Sequence, residues 1–179
     1  MGRKAKLVND SDKLDLDNYL PYLVNRVGTI IADQWGGEQL SPYRLSIAMW
    51  RVMAVLASKG GQRQIDLADL TSIEVSTLSR LVTRLVRMGI ASRTRSASST
   101  REVVVKLTAK GKAQVARLVP LARDYEAAAI AGVRPEELAA VKSALRRMYA
   151  NMKARQQTSG ASGATARQRG RRRTPLAAE

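Results

Sequence analysis

A mainly α-helical fold with a small β-wing is the class this 179-residue sequence predicts: a winged helix-turn-helix unit flanked by terminal dimerisation helices. Three observations predict it. Residues 64–111 read in order as a short helix, a tight turn, a second helix and two strands joined by a basic tip. The second helix has apolar residues at helical spacing on one side and an acid-free face on the other. The stretches before and after this unit are apolar with a helical period, yet one small chain offers them little to bury against. Such an order of elements is a device for placing one helix in a DNA major groove.

The elements follow along the chain. Residues 1–16 are polar and mixed in charge and form a flexible arm. Residues 17–59 hold two N-terminal helices. In the first, from Asp17 to Gln34, Leu20, Leu23, Val24, Val27, Ile30 and Ile31 fall at helical spacing, with Pro21 in the first turn. Ser41-Pro42 opens the connection to the second, from Ser46 to Ser58, whose apolar side is Ile47, Trp50, Val52, Met53, Val55 and Leu56. Lys59-Gly60-Gly61 closes it and leads into the DNA-binding unit, residues 60–111.

In that unit Leu78, Leu81, Val82, Leu85 and Val86 mark the packing stripe of the second helix. Ser76, Thr77, Ser79, Arg80, Thr83, Arg84 and Arg87 occupy the rest of its circumference, and no acid follows Glu74 until Glu102. A merely solvated, Arg-rich surface helix is the competing reading, but solvated faces normally mix signs. Short hydroxyls and guanidiniums offer donors to phosphates and guanine edges. Gly89 is placed to end the helix, Ile90 to Arg93 form a first wing strand, and Val103, Val105 and Leu107 alternate with Val104 and Lys106 in a second. The tip between them lacks acids, and Arg95 and Arg101 suit a minor groove or a phosphate rail. Arg93, Arg95 and Arg101 thus join the α-helical set as candidate DNA contacts.

Residues 112–154 supply C-terminal dimerisation helices. Leu118, Leu121, Tyr125, Ala128 and Ala129 share a side, Pro120 marks a kink, and Gly132 breaks the run. Arg134-Pro135-Glu136-Glu137-Leu138 restarts a helix with the stripe Leu138, Val141, Leu145, Met148 and Met152. Two-fold pairing through these apolar faces puts two recognition helices about one DNA turn apart. From Arg155 to Glu179 the chain is Gly, Ser, Ala and Arg with almost nothing to bury, which predicts a disordered basic tail. The cluster of Arg167, Arg169 and Arg171 to Arg173 is either a second, non-specific DNA contact or a solubilising tail.

Charge and absences bound the function. Lys and Arg number 31 against 15 acids, a net charge of +16 that favours polyanions. There is no cysteine, hence no disulfide, thiol switch or zinc-thiolate site, and no histidine, the commonest general base and metal ligand. No metal, cofactor or catalytic residue is expected, and an enzyme is the disfavoured class. No run of about eighteen apolar residues spans a membrane, and the first residues carry no secretory signal, so a cytoplasmic protein without membrane contact is the expectation.

The motifs resemble those of the MarR family of transcriptional regulators. The resemblance covers roughly residues 17–153 and rests on Leu67-Ala68, STLSRLVTRLVRMGIASR from Ser76 to Arg93, Arg101, and LTAKG from Leu107 to Gly111. It implies a homodimer paired through its terminal helices, a palindromic double-stranded operator, and a small anionic, often aromatic, effector that loosens binding. Ser96 and Ser99 depart from the pattern by standing where wings of the family carry acids, which leaves Arg101 less firmly held. The family's effector pocket is lined by the first two helices, which puts Tyr19, Tyr22, Arg26, Arg44, Trp50 and Met53 at it. Such rings and guanidiniums suit an aromatic carboxylate or its coenzyme A thioester, and YLPYLVNRV resembles the branch that governs breakdown of plant-derived phenolic acids. The alternative fate of Trp50 and Met53 is the core, and of Arg26 the surface. The leading function is a sequence-specific regulator, expected to repress and to be released by an effector. Its alternative is an architectural protein that coats DNA without sequence choice or effector control.

Overall fold

The computed structural model describes residues 13–95 and 103–171. The wing tip, with Arg101, lies outside the described residues, as do most of the N-terminal arm and residues 172–179. The chain divides into two units, residues 1–129 and 130–179.

The first unit opens with helix α1, Leu20–Gln34. It starts three residues beyond the expected Asp17, because Asp15 bends the preceding chain into a turn: its carboxylate accepts from the Asp17 amide at 3.2 Å and from Asn18 Nδ2 at 2.6 Å. Without a break the chain then winds into a π-helical segment, Trp35–Leu40, and a short 3-10 turn, Ser41–Tyr43. Helix α2, Ile47–Lys59, is capped by Ser46, whose hydroxyl accepts from the Met49 amide. Strand β1, Gln62–Arg63, follows directly and was not foreseen. Helix α3, Gln64–Thr71, ends at Ser72 in the left-handed conformation (φ 55°), and this residue makes the turn into helix α4, Val75–Arg87. Gly89 takes φ 69°, as its place after α4 demands.

Strands β2, Ala91–Arg95, and β3, Val103–Leu107, pair antiparallel with Arg93 opposite Val105. Strand β1 joins the free edge of β3, with Gln62 opposite Val105, giving the order β1-β3-β2. The expected first wing strand is shifted by a residue at its start. Ile90 is withdrawn because its side chain is buried and its carbonyl accepts from the Thr108 amide. Helix α5, Ala109–Ala129, runs through Pro120 as one helix.

One core serves the whole first unit. Leu40, Met49, Val52, Met53 and Leu56 meet Leu67, Leu78, Val82, Leu85, Val105 and Leu118, all fully or nearly fully buried. Each such side chain contributes about 1.5–3 kcal/mol by leaving water. Helix α2 and the first half of α5 are therefore part of the winged body's core rather than separate from it. Helix α1 buries none of its residues.

The second unit is helix α6, Pro135–Arg171. Arg134 fastens its first turn: its amide and guanidinium both donate to the Glu137 carboxylate, at 3.1 and 2.7 Å. Helix α6 runs on through residues 155–171, where the Gly-, Ser- and Ala-rich composition predicts a disordered tail; no proline interrupts the run before Pro175.

Candidate nucleic-acid interface

Helix α4 begins at an acid. The Glu74 carboxylate accepts from the Thr77 amide at 3.0 Å and from the Ser76 hydroxyl, so it fills the capping role usually given to Asp or Ser. These bonds, the Ser76 hydroxyl first and then the amides of Ser76 and Thr77, hold the Glu74 carboxyl below its ordinary range. Sequence reasoning noted Glu74 only as the last acid before an acid-free run. Its position just ahead of a hydroxyl-rich helix was the signal for a cap.

Beyond the cap, Leu78, Val82 and Leu85 turn inward. Ser76, Thr77, Arg80, Arg84 and Arg87 are exposed, and Ser79 and Thr83 are half-buried. Ser79, Arg80, Thr83, Arg84 and Arg87 line a shallow groove along the helix. Arg80 reaches back to the Thr77 hydroxyl at 3.4 Å, and Arg84 reaches the carbonyl of Arg44 at 3.5 Å, both long contacts that leave the guanidiniums available. Arg93, on β2, donates to α4 instead. Arg95 closes the same strand. The candidate residues of the helix thus share one face, and that face carries positive charge with hydroxyls and no acid beyond its cap.

The wing is anchored at a compact joint. The Thr108 hydroxyl donates to the Gly89 carbonyl at 2.6 Å and accepts from the Gly111 amide at 3.1 Å, capping α5 while tying it to the end of α4. Lys110 Nζ donates to the Met88 carbonyl at 2.9 Å. Gly111 packs so closely that a Cβ there would stand 2.1 Å from the Ile90 carbonyl oxygen. The LT..G motif is therefore the geometry of one contact between wing and helix.

The expected effector residues are not gathered in one place. Tyr19 is 41% exposed, and Tyr22 carries the Arg26 guanidinium 5.6 Å from its ring centre. Arg44 sits in a left-handed turn (φ 56°) beside α4. Met53 is enclosed in the core and presents nothing to solvent. Trp50 is half-buried, and its ring contact is with Trp35, at 5.7 Å. Trp35, which sequence reasoning passed over as connection, is 5% exposed and also meets Tyr125 at 5.9 Å. Its indole N–H is buried with no partner among the described residues. Tyr125 in turn donates to Gln34 at 2.5 Å. The signal available was a tryptophan directly after an apolar helical stripe. Among the described residues no group of acids could hold a metal ion, and no helix is long and apolar enough to cross a membrane.

Comparison with known proteins agrees with this geometry. A profile of the MarR family matches residues 45–103, from the start of α2 into the wing. A crystal structure of a MarR family transcriptional regulator from Silicibacter pomeroyi is 32% identical, covers 76% of this chain and 91% of its own, and superposes with a TM-score of 0.68. An HTH-type transcriptional repressor of Mycobacterium tuberculosis is 28% identical over 115 residues, 64% of this chain and 82% of the repressor. BpsR of Bordetella bronchiseptica, whose DNA binding is regulated by 6-hydroxynicotinic acid, shares the fold with a TM-score of 0.64 at 24% identity, over 73% of this chain and 98% of its own.

Proposed function

The chain belongs to the MarR family of transcriptional regulators, and from that premise we propose that it is a homodimeric repressor that reads a palindromic operator with α4 and the wing. The observation that carries this reading is the face of α4: Ser76, Thr77, Arg80 and Arg84 exposed together, with no acid beyond the Glu74 cap. Thr77 and Ser76 lie in the first turn, where a helix entering the major groove makes its base contacts. Arg80 and Arg84, one turn apart, suit guanine edges or phosphates. Arg95 and Arg101 are kept in this reading as the wing's contacts on the strength of their charge and place in the sequence. The repressor assignment is supported by the name of the mycobacterial relative.

Arg80→Ala and Arg84→Ala test it. A base-reading arginine costs about 1–3 kcal/mol and relaxes preference at one operator position, whereas a phosphate contact weakens all sequences alike. If both variants bind a selected operator as wild type does, α4 is not the reading helix. Unspecific competitor DNA separates this from architectural coating, since it strips the protein from a promoter fragment only in the second case.

The effector is an aromatic acid or its coenzyme A thioester. Support comes from the ring group of Trp35, Trp50 and Tyr125 with its unused indole donor, from Arg26 over Tyr22 on α1, and from the aromatic acid that regulates BpsR. Such a ligand acts only by binding the DNA-incompetent arrangement more tightly, and a hundred-fold release needs about 2.7 kcal/mol of difference. Gel-shift titration with benzoate-, cinnamate- and nicotinate-type acids and their thioesters, on wild type and Arg26→Ala, decides it. Absence of release by all of them rejects the aromatic effector and leaves the DNA reading intact.

A further inference from the structure

Arg93 counts as a DNA contact when only its charge is considered. Its geometry assigns it elsewhere. Nη2 of Arg93 lies 2.9 Å from the Thr83 hydroxyl oxygen and 3.3 Å from the Ser79 carbonyl oxygen. The Thr83 hydroxyl is itself 2.9 Å from that carbonyl. The three atoms close a triangle between β2 and the middle of α4.

The proton inventory of this triangle is fixed. A threonine hydroxyl has one hydrogen and two acceptor lone pairs. The Ser79 carbonyl has no hydrogen to give, so the Thr83 hydroxyl donates to it, the bond back along the helix that Thr often makes. Arg93 has no acceptor, so it donates to Thr83 and fills one lone pair. The Thr83 hydroxyl then has no hydrogen left for a ligand. It retains one lone pair, and beside it the γ-methyl.

Thr83 lines the groove of α4 together with Arg80 and Arg84. A side chain there that offers a methyl and an acceptor, and no donor, matches one base pair best. Thymine presents its C5-methyl and the paired adenine its N6 amino group in the major groove. Guanine O6 and N7 are acceptors only and face a lone pair, and cytosine, whose N4 amino group can donate to it, carries no C5-methyl for the Thr83 γ-methyl to meet. We propose that Arg93 is a positioning residue, which locks Thr83 as a methyl-bearing, acceptor-only reader selective for a T·A pair over G·C. This rests on the reading of α4 as the helix that enters the major groove.

Binding of wild type, Arg93→Ala, Arg93→Lys and Thr83→Ala to an operator library and across a salt series tests the inference. Wild type is expected to prefer T·A about tenfold at one position of each half-site. Arg93→Ala flattens that position and spares the others. The salt slope stays as in wild type, and adding Arg93→Ala to Thr83→Ala changes little further. Arg93→Lys, which still offers a donor, restores part of the preference. A slope shallower by about 0.9 with uniform weakening overturns the proposal, because that is the mark of a lost phosphate contact. If wild type binds all DNA alike, the reading of α4 has failed instead. In that event the Thr83 χ1 couplings of the free protein still decide the role of Arg93: a single rotamer in wild type that averages in Arg93→Ala upholds the lock, and equal couplings in both refute it.

Discussion

Helices α1 and α4 are close in length, 15 and 13 residues, and each carries an apolar stripe at helical spacing, yet they end in opposite situations. Helix α4 encloses Leu78, Val82 and Leu85 completely, is capped by Glu74, and is held at its far end by Lys110 and the Thr108 joint. Helix α1 has no cap from a side chain and no buried residue, with Val27 and Ile30 more than half exposed at 57% and 58%. In α6, taken by itself, Val141, Leu145, Met148 and Met152 are likewise exposed. Scattered apolar surface is ordinary, but a stripe of six on one helix is a face prepared for burial. The winged body is complete within one chain. The terminal helices leave their apolar faces exposed, and in the proposed homodimer a second copy of the chain covers them.

The largest effect expected from breaking the complete half is that of Leu85→Ala. Cavity formation in a closed core costs about 2–5 kcal/mol, read by urea denaturation. The loss should not depend on protein concentration, because the neighbours of Leu85 are intramolecular. In the unfinished half, Val27→Asp should leave the winged body folded and separate the chains. Each copy forfeits burial worth about 1.5–3 kcal/mol and strands a charge. Light scattering should then fall from twice the chain mass to once, and a dimer of unchanged strength would assign the α1 face some other partner.

A smaller cost is expected at the joint. Gly111→Ala drives a methyl into the Ile90 carbonyl oxygen, a backbone atom with no rotamer to yield. Overpacking of this kind costs about 1–3 kcal/mol. The wing should loosen before the core does, so amide exchange in β2 should accelerate more than in α2.

The smallest effect concerns acid. Glu74 in the folded protein titrates below its ordinary value of 4.5, so the unfolded chain binds a proton first as pH falls. Its stabilising contribution is full above the unfolded value and disappears as pH drops through the folded one. Between pH 6 and 3, Glu74→Gln should therefore lose less stability than wild type, by thermal unfolding. Between pH 6 and 8 neither should change through side chains, since the chain has no histidine. Equal acid sensitivity in the two proteins would mean that the cap does not form in solution.

How much of this was legible beforehand varied with the kind of signal. The stripe of α4, the left-handed Gly89 and the LT..G joint were readable because each is a local rule: a period, a backbone conformation, a close approach. Strand β1 was not, since two residues after Gly60-Gly61 show no period and exist as strand only through β3. Trp35 escaped because a π-turn breaks the very period used to find helices. The role of Arg93 escaped for a different reason. Charge is a property of the residue, whereas its hydrogen-bond partners are 10 and 14 positions away on another element. Met53 took the core fate that the sequence had left open for it beside the pocket.

The π-helical segment Trp35–Leu40 has a consequence for how this chain tolerates change. It joins, without a break, a helix that faces outward along its length to two residues, Trp35 and Leu40, that face the interior. The wider winding resets the angular phase between the two. Losing one residue, for instance at Gly36 or Gly37, would rotate everything upstream by about 100° relative to the core. Either Leu40 leaves its cavity or the stripe of α1 turns away from its partner. Point substitutions in this segment can drift freely where side chains are exposed, but its length is fixed. Insertions and deletions here would be purged even though a Cβ at Gly37 would meet nothing within 4 Å and one at Gly36 only the Ile47 side chain.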